Sequence, residues 1–238
     1  MLIDLTTDGV PFRGREGTSD ERTVIEVVRL KTYRCLRDGF DVLPGERWLD
    51  LGANIGAFAL YCRLRGAVAE CWEPDLGSFR VLEANLSGWE GFSCVRSAVT
   101  DRKDRRIDWW ESAKPGQRTR GTTFPGKGRL HRSGTVPNAH ASVLDRGFVW
   151  DGVKMDVEGS EFGLIDGRLL PPTRKLILEY HLSRDPSTVA LAERVGVLRE
   201  TFSVVTMNAE MQRLCRSGES GIEARRSVYD RLIRCRLT

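Results

Sequence analysis

Residues 49–56 read Leu-Asp-Leu-Gly-Ala-Asn-Ile-Gly, and residues 70–74 read Glu-Cys-Trp-Glu-Pro. The first run is an apolar strand that ends in a glycine-bearing turn and opens a helix. The second is a strand that ends in a carboxylate, Glu73, 17 residues after Gly56. A strand–turn–helix–strand–acid unit of this size commits a chain to a parallel α/β sheet. It is also how such a sheet holds an adenosine-bearing cofactor.

The spacing D-x-G-x-N-x-G separates this unit from a dinucleotide fingerprint, G-x-G-x-x-G, in which helix N-terminal amides face a pyrophosphate. Asp50 would add negative charge where phosphates would lie, which weakens a dehydrogenase reading. S-adenosylmethionine has no phosphate and carries an ammonium and a sulfonium, so nearby acids favour it. Gly52 lacks a Cβ and lets the backbone approach a ligand. Ala53 follows it in the same turn. Asn54 tolerates left-handed backbone angles where many such loops carry glycine. Gly56 is expected to let the first helix turn pack on the strand. Glu73, followed by Pro74, is placed to accept hydrogen bonds from ribose hydroxyls.

The 238 residues suit one α/β domain with an added arm or lid, and 40% hydrophobic residues suffice for a full core. No apolar run has the length of a membrane span. The start, Met-Leu-Ile-Asp-Leu, lacks the layout of a secretion signal. The six cysteines (35, 62, 71, 94, 215, 235) form no C-x-x-C pair. Cys71 and Cys94 read as small core residues, and the pattern predicts a reducing, cytoplasmic setting without a zinc site or disulfides. Of the 37 basic residues 31 are Arg, spread along the whole chain, and the net charge is only +4.

Along the chain, residues 1–45 read as an N-terminal arm and helix, and 46–238 as the cofactor-binding domain. Residues 1–17 show no periodicity. Thr18-Ser-Asp-Glu21 resembles a capping box, with Val24, Val27, Val28, Leu30 and Cys35 giving an apolar helix side that ends before Pro44-Gly45. Strands are predicted at 47–52, 68–72, 92–99, 106–110, 151–157, 175–180, 202–207 and 228–236. Helices are predicted at about 55–65, 75–86, 159–170 and 187–200, and a short regular segment at 142–145. Residues 111–139, rich in Gly, Pro and Arg, read as a long basic loop or floppy hairpin. The alternation argues for a largely parallel sheet with helices on both faces. The final strand pair, with no good helix between, argues for an antiparallel edge strand.

Residues 153–161, Val-Lys-Met-Asp-Val-Glu-Gly-Ser-Glu, form a second constellation. An apolar strand leads into Asp156, Glu158 and Glu161. In open α/β sheets ligands bind beyond the carboxyl ends of the strands, so Asp156 is expected to face the crevice. Three acids there repel one another unless they meet cations. Lys154 or a sulfonium would serve. A hard cation such as Mg²⁺ would also suit these oxygens, although no metal is predicted. Glu158 and Glu161 could instead favour the positive start of the next helix.

The combination of L-D-L-G-A-N-I-G, W-E-P-D-x-x-S-F-x-x-L-E-x-N-L and V-K-M-D-V-E-G-S-E-F, with I-L-E-Y-H at 177–181, resembles the FkbM family of S-adenosylmethionine-dependent methyltransferases. The resemblance spans roughly residues 20–182. It implies a class I Rossmann-like methyltransferase fold with a seven-stranded sheet, and O-methylation of hydroxyls on sugars, glycolipids or related small molecules. It places Asp50, Gly52, Asn54, Gly56 and Glu73 on cofactor positions and Asp156, Glu158 and Glu161 on an acidic motif. The segment 114–134 matches no known motif of the family.

Methyl transfer to a hydroxyl needs a group that takes its proton as the C–O bond forms. Asp156, Glu179 and His181 are the candidates, with His181 or Asp156 preferred; His131 and His140 read as solvated. Two other readings stand beside this one. Arg118, Arg120, Lys127, Arg129 and Arg132 could hold the phosphates of a nucleic acid, as in a ribose 2′-O-methyltransferase. The small net charge and the lack of interleaved aromatics oppose that. The turn Asp-Val-Glu-Gly also lacks the D/N-P-P-aromatic signature of base N-methylation. A catalytically inactive Rossmann-like binding module is the other reading.

Overall fold

In a computed structural model the described residues are 1–35, 40–112, 121–123, 130–181, 191–207, 212 and 231–237. The N-terminal arm opens with a hairpin, β1 (Leu2–Asp4) against β2 (Arg13–Arg15), and helix α1 (Asp20–Val24) follows, continuing as a π-helical turn, Ile25–Arg29. The central sheet takes β3 (Arg47–Leu51), β4 (Val68–Trp72), β5 (Ser93–Val95), β10 (Gly152–Met155), β11 (Lys175–Tyr180), β12 (Val204–Met207) and β13 (Arg231–Arg236). A smaller sheet takes β6 (Ala98–Thr100), β7 (Arg106–Ser112), β8 (Gly121–Thr122) and β9 (Leu130–His140). The remaining helices are α2 (Ala57–Leu64), α3 (Leu76–Leu86), α4 (Glu161–Asp166) and α5 (Leu191–Thr201), with a 3₁₀ turn at Ala141–Leu144.

The seven-stranded sheet has the order β12-β13-β11-β10-β3-β4-β5. Strands β11, β10, β3, β4 and β5 are parallel neighbours, and β13 runs antiparallel to both β11 and β12. The antiparallel strand is thus inserted next to the edge, and β12 is the edge itself. Six-residue pairing with β11 and burial of Ile233 and Cys235 hold β13 in that slot.

Alternation along the strands sorts side chains to the two faces. Leu49, Leu51, Val153, Met155, Leu176 and Leu178 point to one core, with Phe162, Leu164 and Ile165 of α4 and Val195 and Leu198 of α5. Trp48, Ala69, Cys71 and Ile177 point to the other, with Phe58 and Leu60 of α2 and Leu82 and Leu86 of α3. Asp50 and Lys154 belong to the second face, where the parallel register sets Lys154 directly beside Asp50.

Several predicted elements stand as read. Strands β4 and β11 have the expected bounds, and Asp75 caps α3 by accepting from Ser78 N–H at 2.7 Å. Others differ. Residues 1–17, without periodicity, form the β1–β2 hairpin, tied to the body by Asn85, whose side chain bonds Arg13 N–H and C=O and Ile55 C=O. The first helix starts near the expected place, but the capping box does not form: Ser19 is the N-cap without a side-chain cap bond, and Thr18 Oγ1 accepts from Asp20 N–H instead. It ends at Arg29 because Lys31 turns left-handed (φ 52°), which leaves Leu30 69% exposed. The expected strand 92–99 is two strands in two sheets, β5 and β6. Residues 142–144 lie in the 3₁₀ turn, and Asp145 is its extended C-cap. The expected basic loop is partly regular: β9 runs over Leu130–His140, pairing antiparallel with β7 from Leu130 to Pro137 and parallel with β6 from Asn138 to His140. Its partners on β7 lie 18 to 31 residues away, beyond what local pattern reports. Residues 113–120, 124–129 and 187–190 of the predicted loop and helix lie outside the described residues.

Candidate functional site

The carboxyl ends of β3, β4, β10 and β11 meet at one cavity of about 810 Å³. Its volume suits a nucleoside-sized ligand together with a small acceptor. One wall is the turn after β3. Gly52 (φ 79°) and Asn54 (φ 50°) are left-handed, and with Ala53 they line the cavity. Gly52 is required by the protein itself: a Cβ there would lie 1.8 Å from the Asp156 carbonyl oxygen. Gly56 (φ 92°) is not among the lining residues, and a Cβ there would meet Leu82 of α3 at 2.9 Å. Its close neighbour is therefore the next helix, not the strand.

Glu73 ends β4 and lines the cavity beside Pro74. Its two oxygens accept from Asn54 N–H (2.8 Å) and Asp75 N–H (2.7 Å), so one carboxylate joins the first turn to the cap of α3. Each oxygen keeps a second lone pair for a further hydrogen bond. Burial pushes the Glu73 carboxyl up to about 7, against those two backbone hydrogen bonds.

Asp50 is fully buried and stands behind the turn, not on the cavity wall. It pairs with Lys154 at 3.0 Å, and Lys154 Nζ also donates to Gly52 C=O (2.8 Å) and lies 3.9 Å from Asp156. Asp50 therefore reaches the site through Lys154. Burial disfavours the ammonium, but Asp50, first among its neighbours, holds its pKa above the ordinary value.

A second part of the lining, which abuts the Gly52 turn at Asp156, is built around His181, which follows β11 and is 1% exposed. Glu161, fully buried at the start of α4, accepts from His181 N–H (2.8 Å) and contacts His181 Nδ1 (2.9 Å); its other oxygen accepts from Gly159 N–H (2.7 Å). His181 Nε2 faces three more carboxylates: Glu158 at 3.3 Å, Asp156 at 3.5 Å and Glu179 at 4.0 Å. Burial opposes a charged imidazole, but Glu161 and then Glu158 hold its pKa well above the ordinary value. Asp156, first, and burial push Glu179 up to about 8. Burial alone would raise Glu161, but His181 overcomes it and keeps the carboxyl below its usual value.

Asp156, Glu158, Glu179 and His181 line the cavity together. Glu161 does not; it is a positioning residue for His181. Glu158 holds a left-handed backbone (φ 52°), and its C=O accepts from Thr122 Oγ1 at 2.5 Å. Ser160 and Thr123 hydroxyls meet at 2.8 Å. These two bonds seat the β8 end of the smaller sheet on the acidic loop.

Sequence reasoning missed several lining residues: Tyr33, Phe58, Trp109, Thr123 and Arg234. It also missed Arg15, which forks onto Asp20 (2.9 and 3.0 Å) and reaches Asn54 Oδ1 (3.2 Å). Only their meeting in space marks them. Of the predicted phosphate-binding cluster, Arg132 pairs with Asp108 at 2.7 Å on the smaller sheet. Arg118, Arg120, Lys127 and Arg129 lie outside the described residues.

The strand order, the antiparallel seventh strand and the crevice at the switch between β3 and β10 define a class I Rossmann-like methyltransferase fold. No known protein-family profile matches the chain. A stretch of 77 residues is 38% identical to 31-O-demethyl-FK506 methyltransferase FkbM of Streptomyces tacrolimicus. That stretch covers 31% of this chain and 26% of the relative's length. Aeropyrum pernix fibrillarin, solved with natively bound S-adenosyl-L-methionine, superposes with a TM-score of 0.47 at 11% identity, over 98% of this chain and 81% of that one. Pyrococcus abyssi tRNA (uracil-54, C5)-methyltransferase, solved with S-adenosyl-L-homocysteine, gives 0.47 at 12% identity, over 100% and 44%. Among the described residues no helix is long and apolar enough to cross a membrane.

Proposed function

We propose that the chain is an S-adenosylmethionine-dependent methyltransferase that acts on a hydroxyl of a sugar, glycolipid or other small molecule. The observation that carries this reading is one cavity with two chemically distinct walls. On one side Gly52, Ala53, Asn54, Pro74 and Glu73 line a groove suited to an adenosine. On the other stands Asp156, the candidate proton acceptor, beside Glu179 and His181, whose surroundings favour their protonated forms near neutrality.

Methionine-end charges find carboxylates nearby, and Glu73 accepts from the ribose hydroxyls. The sulfonium carries the reactive methyl, and the protein sets the acceptor oxygen behind it in line. As the O–C bond forms, the S–C electron pair returns to sulfur and the hydroxyl proton passes to the acidic wall. The acidic character of that wall, and the engagement of Arg132 by Asp108, favour a neutral or cationic acceptor over a polyphosphate backbone.

Calorimetry with S-adenosylmethionine tests the donor half of the reading. Transfer of labelled methyl groups to host extracts, fractionated into nucleic acid, glycan and lipid, tests the acceptor half. Label in the glycan or lipid fraction supports the proposal. Label confined to nucleic acid moves the assignment to the ribose methyltransferase. No donor binding at millimolar concentration leaves the inactive module.

A further inference from the structure

The proton-accepting wall has the form of a divalent-cation site. One donor atom from each of Asp156, Glu179 and His181 lies within 4.8 Å of the others. Three further observations distinguish this group from an ordinary patch of acids. First, the imidazole is buried, with 2% of its side chain exposed, and aimed into the cluster by Nε2. Among the described residues Nε2 makes no hydrogen bond: its carboxylate neighbours stand 3.3 to 4.0 Å away. Hydrogen-bonded pairs close to about 2.7–3.2 Å. Donor atoms that share one cation at about 2.1 Å sit roughly 3–4 Å apart. Second, Asp156 Oδ1 is buried without a hydrogen-bond partner in the described structure. Third, Glu161 holds Nδ1 at 2.9 Å and the His181 backbone N–H at 2.8 Å. A buried carboxylate on the far nitrogen is the arrangement that fixes a metal-ligating histidine, with its N–H toward the acid and its lone pair toward the metal.

We infer that Asp156, Glu179 and His181 bind one divalent cation, with Glu161 orienting the imidazole and the remaining positions open to the cavity. Two carboxylates and one imidazole suit Mn²⁺, and Mg²⁺ less well. The inference rests on the methyltransferase reading for its purpose. With the cation bound these three residues are ligands and not proton acceptors, so the cation would instead take the acceptor oxygen, lower the pKa of its hydroxyl and release the proton to water. The O–CH₃ bond then forms as the S–CH₃ bond breaks, with its electron pair left on sulfur. Open coordination positions select an acceptor that offers a second oxygen next to the reacting one, as a sugar diol does.

The test is Mn²⁺ binding to the purified full chain, read by electron paramagnetic resonance and calorimetry without donor or acceptor. The expected result is one Mn²⁺ per chain, with ¹⁴N coupling from one imidazole. Asp156→Asn and Glu179→Gln should each weaken binding at least tenfold while keeping the wild-type melting transition. His181→Gln should remove the nitrogen coupling. Absence of Mn²⁺ and Mg²⁺ binding at millimolar concentration would overturn the inference, as would unchanged binding in both carboxylate variants. Calorimetry with S-adenosylmethionine keeps the two claims apart. Donor binding without Mn²⁺ binding defeats the cation site alone, and Mn²⁺ binding without donor binding defeats the methyltransferase reading alone.

Discussion

Replacing Glu73 by Gln should weaken donor binding and change how both binding and stability depend on pH. In the folded protein burial raises the Glu73 carboxyl from 4.5 to about 7. The folded state therefore holds a proton that the unfolded state has released between those values. This proton contributes stability that is fully present below pH 4.5 and is lost as pH rises through 7. At roughly 1.4 kcal/mol per pH unit the loss comes to about 3 kcal/mol. Ribose hydroxyls need the carboxylate as acceptor, so donor binding should release a proton near neutrality. Affinity should fall about tenfold per pH unit below 7 as that proton must be displaced. Glu73→Gln removes the charge and turns an N–H₂ toward either Asn54 N–H or Asp75 N–H. Losing hydrogen bonds to a charged group costs about 1.5–3 kcal/mol, roughly a 10- to 150-fold weaker dissociation constant. Calorimetry in buffers of different ionisation enthalpy measures the affinity and the proton count together, and urea titrations from pH 4.5 to 8 measure stability. A pH-independent wild-type affinity, or a variant that binds as tightly as wild type, would refute the ribose role of Glu73.

Three further outcomes are expected. Gly52→Ala adds a Cβ 1.8 Å from the Asp156 carbonyl oxygen at φ 79° and should cost about 1–2 kcal/mol from backbone strain alone, with more from displacement of the β10 end; unchanged denaturant stability would contradict the packing. Lys154→Met leaves Asp50 buried without its cation and should destabilise by about 3–5 kcal/mol, most of which Asp50→Asn should restore in the double variant. No recovery in that cycle would show that the pair is not coupled. Asp156→Asn should keep the wild-type melt and lose about 100-fold or more in methyl transfer once an acceptor is found, and full activity would remove Asp156 from the site.

Much of the central sheet is legible in the sequence because its information is local. Val68–Trp72 and Lys175–Tyr180 are short apolar runs with marked ends, and Asp75 three residues before Ser78 announces its helix. Gly52, Asn54 and Glu73 could be singled out from spacing, since each answers a requirement within a few residues of backbone. Where partners are distant, the reading failed. The pairing of β7 with β9, the splitting of 92–99 between two sheets and the slot taken by β13 depend on contacts that no periodicity records.

The candidate site divides in the same way. Residue types and spacing supplied the turn after β3 and named the acids Asp156, Glu158 and Glu161, together with Glu179 and His181. Only the tertiary structure separated their roles, sending Asp50 behind the turn to Lys154 and Glu161 behind His181, and leaving Asp156, Glu179 and His181 around one space. Tyr33 and Trp109 line the same space, and Arg15 reaches the turn at Asn54, from elements whose local sequence gives no hint of it. The physical reason is that a backbone turn is dictated by its own few torsions. The charge and reach of a buried side chain are dictated by whatever neighbours the folded sheet brings within hydrogen-bonding distance.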